Sequence, residues 1–339
     1  MRAIRSSFRG TMKRSGAAIA TLCLASAIVG LSAVPASAAT CSGGSTLTID
    51  AASGDSIGLK LSGSDDPRSI VVTPSDPSCG GFDTSSVTTI HVNGTDGDDT
   101  VTIDQAGSVP FPHQNTVSIE LALGNGSDSV VILGQVTADV IGLGSTGISL
   151  DAGTTPDVTG IGTVENLAVK AGGGDDTVSA DGGDTLGNEL QIPVALDGEA
   201  GNDTLTGGQA ADTIRGGTGN DTLKGTSGSD TVDGEGGIDV VSGGGGDDAV
   251  QGGGGDDRLK AGAGADTMDG GDAQDRLTGG GGADVVKGGD GDDQLQGGAG
   301  DDDIFGERGR DQLSGGAGED LCQGGPDPDS LTGCEHGGP

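Results

Sequence analysis

Aspartate recurs at every ninth residue over the last two-fifths of the chain, and this spacing is the pattern in the sequence best suited to chemistry. From Gly198 to Thr332 the chain divides into fifteen nine-residue segments, with aspartate at the sixth position and mostly glycine at the first and fourth. Carbonyl oxygens of glycine turns and carboxylate oxygens together form the ligand shell that calcium prefers, whereas zinc and copper select nitrogen or sulfur ligands. The candidate metal ligands are therefore Asp203, Asp212, Asp221, Asp230, Asp239, Asp248, Asp257, Asp266, Asp275, Asp284, Asp293, Asp302, Asp311, Asp320 and Asp329.

The remaining positions of each segment predict the elements that hold these aspartates. The eighth residue is always apolar, from Leu205 in the first segment to Leu331 in the last. The last three residues therefore predict a short strand with one side chain facing inward and its neighbours facing outward. The first six residues predict a reversal of the chain, in which glycines at positions one, two and four permit positive φ angles. No helical period occurs after Ala38, so the predicted fold class is all-β.

The segments resemble the RTX (repeats-in-toxin, hemolysin-type) nonapeptide G-G-x-G-x-D-x-U-x, which occurs in calcium-binding proteins that bacteria secrete. Clear copies read GGTGNDTLK (216–224), GGGGDDRLK (252–260) and GGDGDDQLQ (288–296). The resemblance implies a right-handed parallel β-roll, a β-helical solenoid in which two segments form one coil and calcium binds between the turns of every second segment. It also implies two stacks of aspartates with seven and six gaps, which hold at most about thirteen calcium ions.

Repulsion between stacked aspartates favours bound calcium over a metal-free solenoid. Carboxylates roughly 5 Å apart repel each other by about 1 to 3 kcal/mol per pair at effective dielectric constants of about 20 to 80. Summed over both stacks, this repulsion exceeds the usual stability of a domain unless cations lie between the charges. We therefore expect the repeat region to be unfolded without calcium and to fold when calcium binds.

Several segments depart from the consensus, and these departures put individual sites in doubt. Ala210 and Ala273 replace the glycine at position four, where a Cβ atom is expected to strain the turn. Position two is occupied in four segments by Glu199, Thr226, Glu235 and Glu307. The last segment contains two prolines, Pro326 and Pro328, which cannot donate ladder hydrogen bonds, so we interpret it as a cap. The turns at 279–284 and 297–302 fit the consensus best.

The region from Ala39 to Asp197 predicts strands without a regular period. Short β-branched runs alternate with turns rich in glycine and aspartate, and isolated copies of the nonapeptide occur at 94–102, 123–131 and 171–179. Two alternatives remain: a degenerate β-helix with loops of variable length, or a small separate β domain. The predicted domains are residues 1–38, 39–197, 198–332 and a short tail at 333–339.

The segment from Met1 to Ala38 predicts a secretory signal peptide. Five cations without an acid precede an apolar run from Ala17 to Val34, and Ala36-Ser37-Ala38 supplies a cleavage site. The protein is therefore expected to be secreted and extracellular. An N-terminal membrane anchor is the alternative.

Four cysteines remain after the predicted cleavage, one pair near each end of the chain. Four cysteines allow three pairings, of which loop closure favours Cys41–Cys79 and Cys322–Cys334. The alternatives are four free thiols or a lipid anchor on Cys41.

The composition narrows the possible partners. The chain carries a net charge of −36, no tryptophan or tyrosine, and four phenylalanines. This charge repels nucleic acids and anionic membranes, and no long apolar or amphipathic segment is present for membrane insertion. The predicted partners are calcium ions and an unidentified partner at the cell surface or in the extracellular matrix.

An enzymatic function is disfavoured by the same sequence. Ser56 lies in a G-x-S-x-G match, but that motif requires a strand-to-helix turn and no helix is predicted nearby. The zinc-protease motif H-E-x-x-H does not occur. We therefore predict a non-catalytic, calcium-binding structural or interaction role. The alternatives are a calcium-dependent cell-surface adhesin or a hydrolase with Ser56 as nucleophile.

Overall fold

The computed structural model describes residues 164–182 and 189–338, and before residue 164 it describes the residues of the strands. Every regular element in these ranges is a β-strand, which confirms the predicted all-β class. Within the described residues, no helix has the length and apolar character needed to cross a membrane. The predicted signal peptide, Cys79 and the side chain of Cys41 lie outside the described residues.

The strands divide into those before and those within the repeat region. The earlier strands are β1 (Thr40–Gly43), β2 (Thr46–Asp50), β3 (Ser56–Ser62), β4 (Ser69–Thr73), β5 (Phe82–Asp83), β6 (Thr89–Asn93), β7 (Thr100–Asp104), β8 (Ser118–Ala122), β9 (Ser129–Leu133), β10 (Val140–Gly144), β11 (Gly147–Ser149), β12 (Val158–Thr159), β13 (Asn166–Gly173) and β14 (Thr177–Ser179). The later strands are β15 (Val194–Ala200), β16 (Thr204–Thr206), β17 (Thr213–Thr218), β18 (Thr222–Ser227), β19 (Thr231–Gly236), β20 (Val240–Gly245), β21 (Ala249–Gly254), β22 (Arg258–Ala263), β23 (Thr267–Asp272), β24 (Arg276–Gly281), β25 (Val285–Asp290), β26 (Gln294–Ala299), β27 (Asp303–Arg308), β28 (Gln312–Ala317), β29 (Leu321–Gln323), β30 (Ser330–Thr332) and β31 (His336–Gly338).

Successive strands of the repeat region alternate between two sheets. Sheet I contains the even-numbered strands from β14 to β30, and sheet II contains the odd-numbered strands from β13 to β31. Neighbours within a sheet are parallel, and equivalent residues of every second segment lie side by side, as in the pairing of Leu205 with Leu223 and of Ile214 with Val232. Two segments therefore form one coil, and the chain is a parallel β-solenoid as predicted.

The strands before the repeats belong to the same two sheets. In sheet II, β9 pairs with β13 and β13 pairs with β15, all in parallel register. Three antiparallel excursions interrupt this order: β1 on β2, β4 and β5 beside β3, and β11 between β10 and β12. Residues Ser37–Pro339 form one compact unit. This pairing supports the degenerate β-helix over a separate β domain.

The core is a double ladder of apolar side chains from position eight. Each of these residues from Leu205 to Cys322 is at most 2% exposed and stacks on its counterpart one coil away. At the C-terminal end Leu331 is only partly buried, and β30 is three residues long. The predicted inward position is therefore confirmed, and burial of this ladder supplies the hydrophobic stabilisation of the roll.

The strands are twice as long as the sequence predicted. Strands β17 to β28 run for six residues, from position seven of one segment to position three of the next, as in Thr222–Ser227, so the turn occupies positions four to six. Glycine is favoured at position one for room rather than for its φ angle, and Ala261 is the single alanine there. A Cβ atom on Gly252 would lie 2.5 Å from Oδ2 of Asp257 and 2.6 Å from the carbonyl oxygen of Gly270. Positive φ angles occur at positions two and four instead.

Two alanines at position four differ in conformation. Ala273 has a φ angle of 85°, which strains an L-residue, whereas Ala210 is not among the described residues with positive φ. The prediction of a strained turn is therefore supported at Ala273 and wrong at Ala210. The difference arises because the segment of Ala210 forms a different turn, in which Gly208 at position two also lacks a positive φ angle.

The strain at Ala273 predicts a stabilising substitution. Ala273→Gly should raise the free energy of unfolding by about 1 kcal/mol, because glycine adopts this φ angle without the penalty of a Cβ atom. The matched variant Ala210→Gly should be neutral or destabilising by up to about 1 kcal/mol, because only the entropy of the unfolded chain changes. Urea unfolding in saturating calcium measures both values. Equal stabilisation by the two variants would contradict the assignment of strain to Ala273.

Candidate metal centre

The sixth-position aspartates lie in the turns, immediately before the strands. Asp221, for example, directly precedes β18, which begins at Thr222. Fourteen of the fifteen candidate ligands are at most 3% exposed, and Asp329 in the last segment is partly exposed. Such burial of a carboxylate requires compensation by hydrogen bonds and by an opposite charge.

One carboxylate oxygen of each aspartate binds the main chain of the preceding coil. The N–H group of Asp203 donates to Oδ1 of Asp221 at 2.7 Å, and the N–H group of Asp221 donates to Oδ1 of Asp239 at 2.7 Å. The same bond recurs along both sides of the roll, as between Asp284 and Asp302 at 2.9 Å. One stack contains Asp203, Asp221, Asp239, Asp257, Asp275, Asp293, Asp311 and Asp329, and the other contains Asp212, Asp230, Asp248, Asp266, Asp284, Asp302 and Asp320.

The second carboxylate oxygen, Oδ2, is buried without a hydrogen-bond partner in thirteen of these fifteen residues. The exceptions are Asp212 and Asp329. A buried, unpartnered oxygen of an ionised carboxylate is strongly unfavourable, so a cation or a proton has to satisfy it. Each turn with an unpartnered Oδ2 therefore requires a cation or a proton next to that oxygen.

The unpartnered oxygens face main-chain carbonyls. Beside Gly252, Oδ2 of Asp257 and the carbonyl oxygen of Gly270 both approach the space that a Cβ atom would fill. The same pairing of a carboxylate with a carbonyl from the next coil occurs beside Gly270 and Gly279. Among the described residues, no group of three or more histidine, cysteine, aspartate or glutamate side chains could hold a metal. Any site here therefore combines carboxylate and carbonyl oxygens, a ligand set that fits calcium.

Burial perturbs the ionisation of the stacked aspartates. The pKa of Asp230, Asp239 and Asp275 is raised to about 7, chiefly because burial disfavours the charged form. The main-chain N–H bond acts to lower the pKa, and the charge of neighbouring aspartates in the stack acts to raise it. The pKa of a further four residues is raised to about 6, for the same leading reason: Asp203, Asp248, Asp284 and Asp293. Protons therefore compete with cations for these carboxylates close to neutral pH.

The turn of Asp212 departs from the others in its hydrogen bonds. Its Oδ2 accepts a bond from the N–H group of Gly208 at 2.6 Å, within its own segment. This segment is the one in which Ala210 replaces the fourth-position glycine. The carboxylate that faces a carbonyl elsewhere is here turned onto its own main chain, so this turn is the least suited of the interior turns to hold a cation.

One member of the stack was not among the predicted ligands. Asp176, the sixth residue of the isolated copy at 171–179, is 1% exposed, and its N–H group donates to Oδ1 of Asp203 at 2.7 Å. The copy itself was recognisable in the sequence. Asp176 and Asp203 are 27 positions apart, whereas stacked repeat aspartates are 18 positions apart, and this irregular spacing concealed that the two turns are neighbours.

The candidate nucleophile Ser56 lies at the start of β3, not at a strand-to-helix turn. Its side chain, and those of the three histidines, lie outside the described residues. No helix occurs among the described residues, so the structural context of a nucleophile elbow is missing there.

Comparison with known proteins agrees with this geometry. The family model of the RTX calcium-binding nonapeptide repeat matches residues 169–185 and, in overlapping copies, residues 195–331. A comparison with curated proteins gave no match. RTX repeats bind several calcium ions, and the carboxylate and carbonyl oxygens of the turns fit that metal. Over these residues the chain consists of RTX calcium-binding nonapeptide repeats.

Proposed function

We propose that this protein is secreted, that its repeats fold when they bind calcium, and that the resulting roll has a structural or binding role rather than a catalytic one. The thirteen repeat aspartates with an unpartnered Oδ2, together with Asp176, supply the carboxylate ligands. The observation that supports this most directly is the set of thirteen buried Oδ2 atoms without a hydrogen-bond partner. The fold brings these oxygens together at a cost that a divalent cation offsets.

Coupling between folding and metal binding follows from the position of the ligands. In the unfolded chain each aspartate is solvated, and the residues that share a gap are 18 positions apart. The gaps exist only in the roll, so the free energy of calcium binding contributes to the free energy of folding. The signal peptide predicted for residues 1–38 supports secretion into surroundings where calcium is abundant.

Calcium should therefore induce the β-structure. We expect the full-length protein to show little β signal in far-UV circular dichroism at pH 7.5 in chelator, and to gain it cooperatively as calcium is added. Magnesium at the same concentration should be much less effective, because it requires a smaller, near-octahedral site. A complete β signal in excess chelator at this pH would contradict the proposal.

Two aspartate variants test whether the stacked carboxylates set the calcium concentration that folding requires. Asp284→Asn removes the charge of a carboxylate whose own Oδ2 is unpartnered, whereas Asp212→Asn alters a carboxylate whose Oδ2 is already bonded to Gly208. The first variant should require the higher calcium concentration for folding. An equal shift in the two variants would show that net charge alone, and not the stacked sites, sets the calcium requirement.

The raised pKa values predict a definite pH dependence. In the metal-free roll Asp230, Asp239 and Asp275 have a pKa of about 7 against an ordinary value of 3.8, so folding without metal takes up protons. The metal-free roll is accordingly most stable below about pH 4 and loses that stability as the pH rises through 6 to 7. The unfolded chain and the calcium-bound roll both carry these aspartates ionised between pH 5.5 and 7.5, so only the metal-free roll gains stability from protons. The calcium concentration at half-folding should therefore decrease as the pH is lowered from 7.5 to 5.5. Calcium titrations followed by circular dichroism at these two pH values test this; identical midpoints would contradict it.

A second candidate function, calcium-dependent adhesion, is supported by an asymmetry of charge between the two sheets. The strands of sheet I from β16 to β30 contain no aspartate or glutamate but four exposed cations, Lys224, Arg258, Lys260 and Arg276. None of these cations forms an ion pair with a described residue. The strands of sheet II from β15 to β29 contain nine acids: Asp197, Glu199, Asp233, Glu235, Asp269, Asp272, Asp290, Asp303 and Glu307.

The cationic face of sheet I suits an anionic polysaccharide. Arg258 and Arg276 occupy directly paired positions on β22 and β24, where like charges destabilise a sheet unless an anion lies between them. The acids of sheet II lie on the opposite face, about 10 Å or more away, which exceeds the Debye length of about 8 Å at physiological salt. Among the described residues of this face, Val240 on β20 is the one large apolar side chain that is exposed, and hydroxyl and amide groups surround it. A single valine is a smaller apolar area than the centre of a protein interface requires.

Binding to an immobilised polyanion tests this second function. The protein in calcium should be retained on heparin-agarose in a salt-dependent manner, and Arg258→Gln with Arg276→Gln should abolish most of that retention. The matched double variant Arg215→Gln with Arg308→Gln changes sheet II and should bind as the unmodified protein does. Absence of retention, or equal loss in both double variants, would contradict adhesion through sheet I. Retention on DNA-cellulose alone would assign the face to nucleic acid instead.

A further inference from the structure

The C-terminal end of the roll contains one more half-coil than the repeats provide. Repeat spacing would place the next aspartate after Asp320 at position 338, which is glycine. The chain nevertheless continues past the last segment into β31, which pairs in parallel with β29 through Leu321 and His336. Repeat spacing would instead pair Leu321 with Pro339, so the residues of this rung are out of phase with the nonapeptide.

Glu335 takes the place of the missing aspartate in this rung. Its Oε2 accepts a hydrogen bond from the N–H group of Asp320 at 2.9 Å, as Oδ1 of Asp320 accepts one from Asp302 at 3.0 Å. The N–H group of Glu335 also donates to the carbonyl oxygen of Asp320 at 3.1 Å. The equivalent main-chain bond inside the roll joins Thr222 to Asp203 at 2.8 Å. By this bond the main chain of Glu335 occupies the place of the residue that follows the aspartate, and its longer side chain brings the carboxylate back to the aspartate's place.

The oxygen atoms that characterise the interior turns recur at this end. Asp320 is 0% exposed, and its Oδ2 is buried without a hydrogen-bond partner. A Cβ atom on Gly315 would meet both this oxygen and the carbonyl oxygen of Gly333. That is the combination found beside Gly252, where Oδ2 of Asp257 meets the carbonyl oxygen of Gly270. The last turn therefore requires a cation for the same reason as the interior turns, because a buried, unpartnered Oδ2 faces a main-chain carbonyl, although no repeat follows it.

We propose that Asp320, the carbonyl group of Gly333 and the carboxylate of Glu335 form a terminal calcium site outside the nonapeptide array. The inference rests on the proposed calcium-dependent folding and adds a ligand, Glu335, from beyond the last repeat. It extends the Asp212 to Asp320 stack by one gap. The site caps the roll at the end where fraying would otherwise begin.

A disulfide bond holds this ligand in place. Cys322 and Cys334 are bonded, with their Cα atoms 5.8 Å apart, as loop closure favoured in the sequence. Cys322 is 0% exposed at the end of the apolar ladder, and Cys334 immediately precedes Glu335. The bond therefore ties the residue before Glu335 to the strand that follows Asp320. The terminal site is complete only when this bond is formed, so its calcium affinity depends on oxidation of the two cysteines.

Calcium counting on full-length variants tests the site. Glu335→Gln keeps the size and the hydrogen-bond acceptor for Asp320 but removes the charge, and Glu335→Ala removes both. Both should bind one calcium ion fewer than the unmodified protein in isothermal titration calorimetry, with a lower melting temperature in calcium. A purely structural cap predicts that Glu335→Gln behaves as the unmodified protein, and that result would overturn the proposal.

Matched controls separate this inference from the proposed function. Glu319 is exposed in the same turn, and its main-chain N–H, rather than its side chain, bonds to Asp301, so Glu319→Gln should bind the full number of ions.

Cys322→Ser with Cys334→Ser should lose the same single ion as Glu335→Gln; an unchanged count would overturn the link to oxidation. Folding with calcium in all variants shows that the interior sites work, whereas failure of the unmodified protein to bind calcium would refute the proposed function itself.

Discussion

The two oxygens of each stacked aspartate act in different ways, and the roll depends on this division. Oδ1 accepts the N–H group of the aspartate one coil earlier, which sets the register between coils and satisfies a buried main-chain donor. Oδ2 is left buried beside carbonyl oxygens, without a partner. A neutral asparagine could serve the first purpose. Under the proposed calcium-dependent folding, only an ionisable group makes assembly of the coils conditional on a cation, so the carboxylate specifies the geometry and also makes it dependent on the environment.

Glycine serves this arrangement for two separate physical reasons. At positions two and four the main chain adopts positive φ angles, and residues such as Glu307 and Ala273 accept strain there. At position one the φ angle is ordinary, but a Cβ atom would occupy the space between a carboxylate and the carbonyl of the next coil. Ala261 is the single exception at position one, and it is fully buried. Loss of a position-one glycine is therefore expected to crowd the candidate metal ligands, whereas loss of the others strains the turn that presents them.

The ends of the aspartate stacks show how a periodic structure is closed by residues that break the period. Asp176 begins one stack, 27 positions before its neighbour, and Glu335 ends the other, 15 positions after its neighbour. Each makes the same hydrogen bond to its neighbouring turn as the repeat aspartates make. The hydrogen bond between coils thus recurs at both ends, although the number of residues between the bonded partners changes. The bond depends on the distance between coils and not on the length of chain that connects them.

Much of the architecture could be predicted from the sequence, because the information is local and repeated. The period of nine, the inward residue at position eight and the aspartate at position six each follow from a single segment, and the RTX resemblance implied the stacking of every second segment. The longer strands, the steric role of the first glycine and the altered turn of Asp212 could not be predicted in this way. They depend on contacts between coils, which a single segment does not contain.

The sequence alone determined the fold class, the candidate aspartates and the preference for calcium, since these follow from residue type and spacing. The tertiary structure alone decided that one carboxylate oxygen is bonded and the other is not, that Asp212 turns onto its own segment, and that Asp176 and Glu335 join the stacks. The physical reason is that these properties arise from hydrogen bonds between residues 15, 18 or 27 positions apart. Connections of different length can bring such residues to the same place, so the spacing of residues along the chain does not reveal which of them meet.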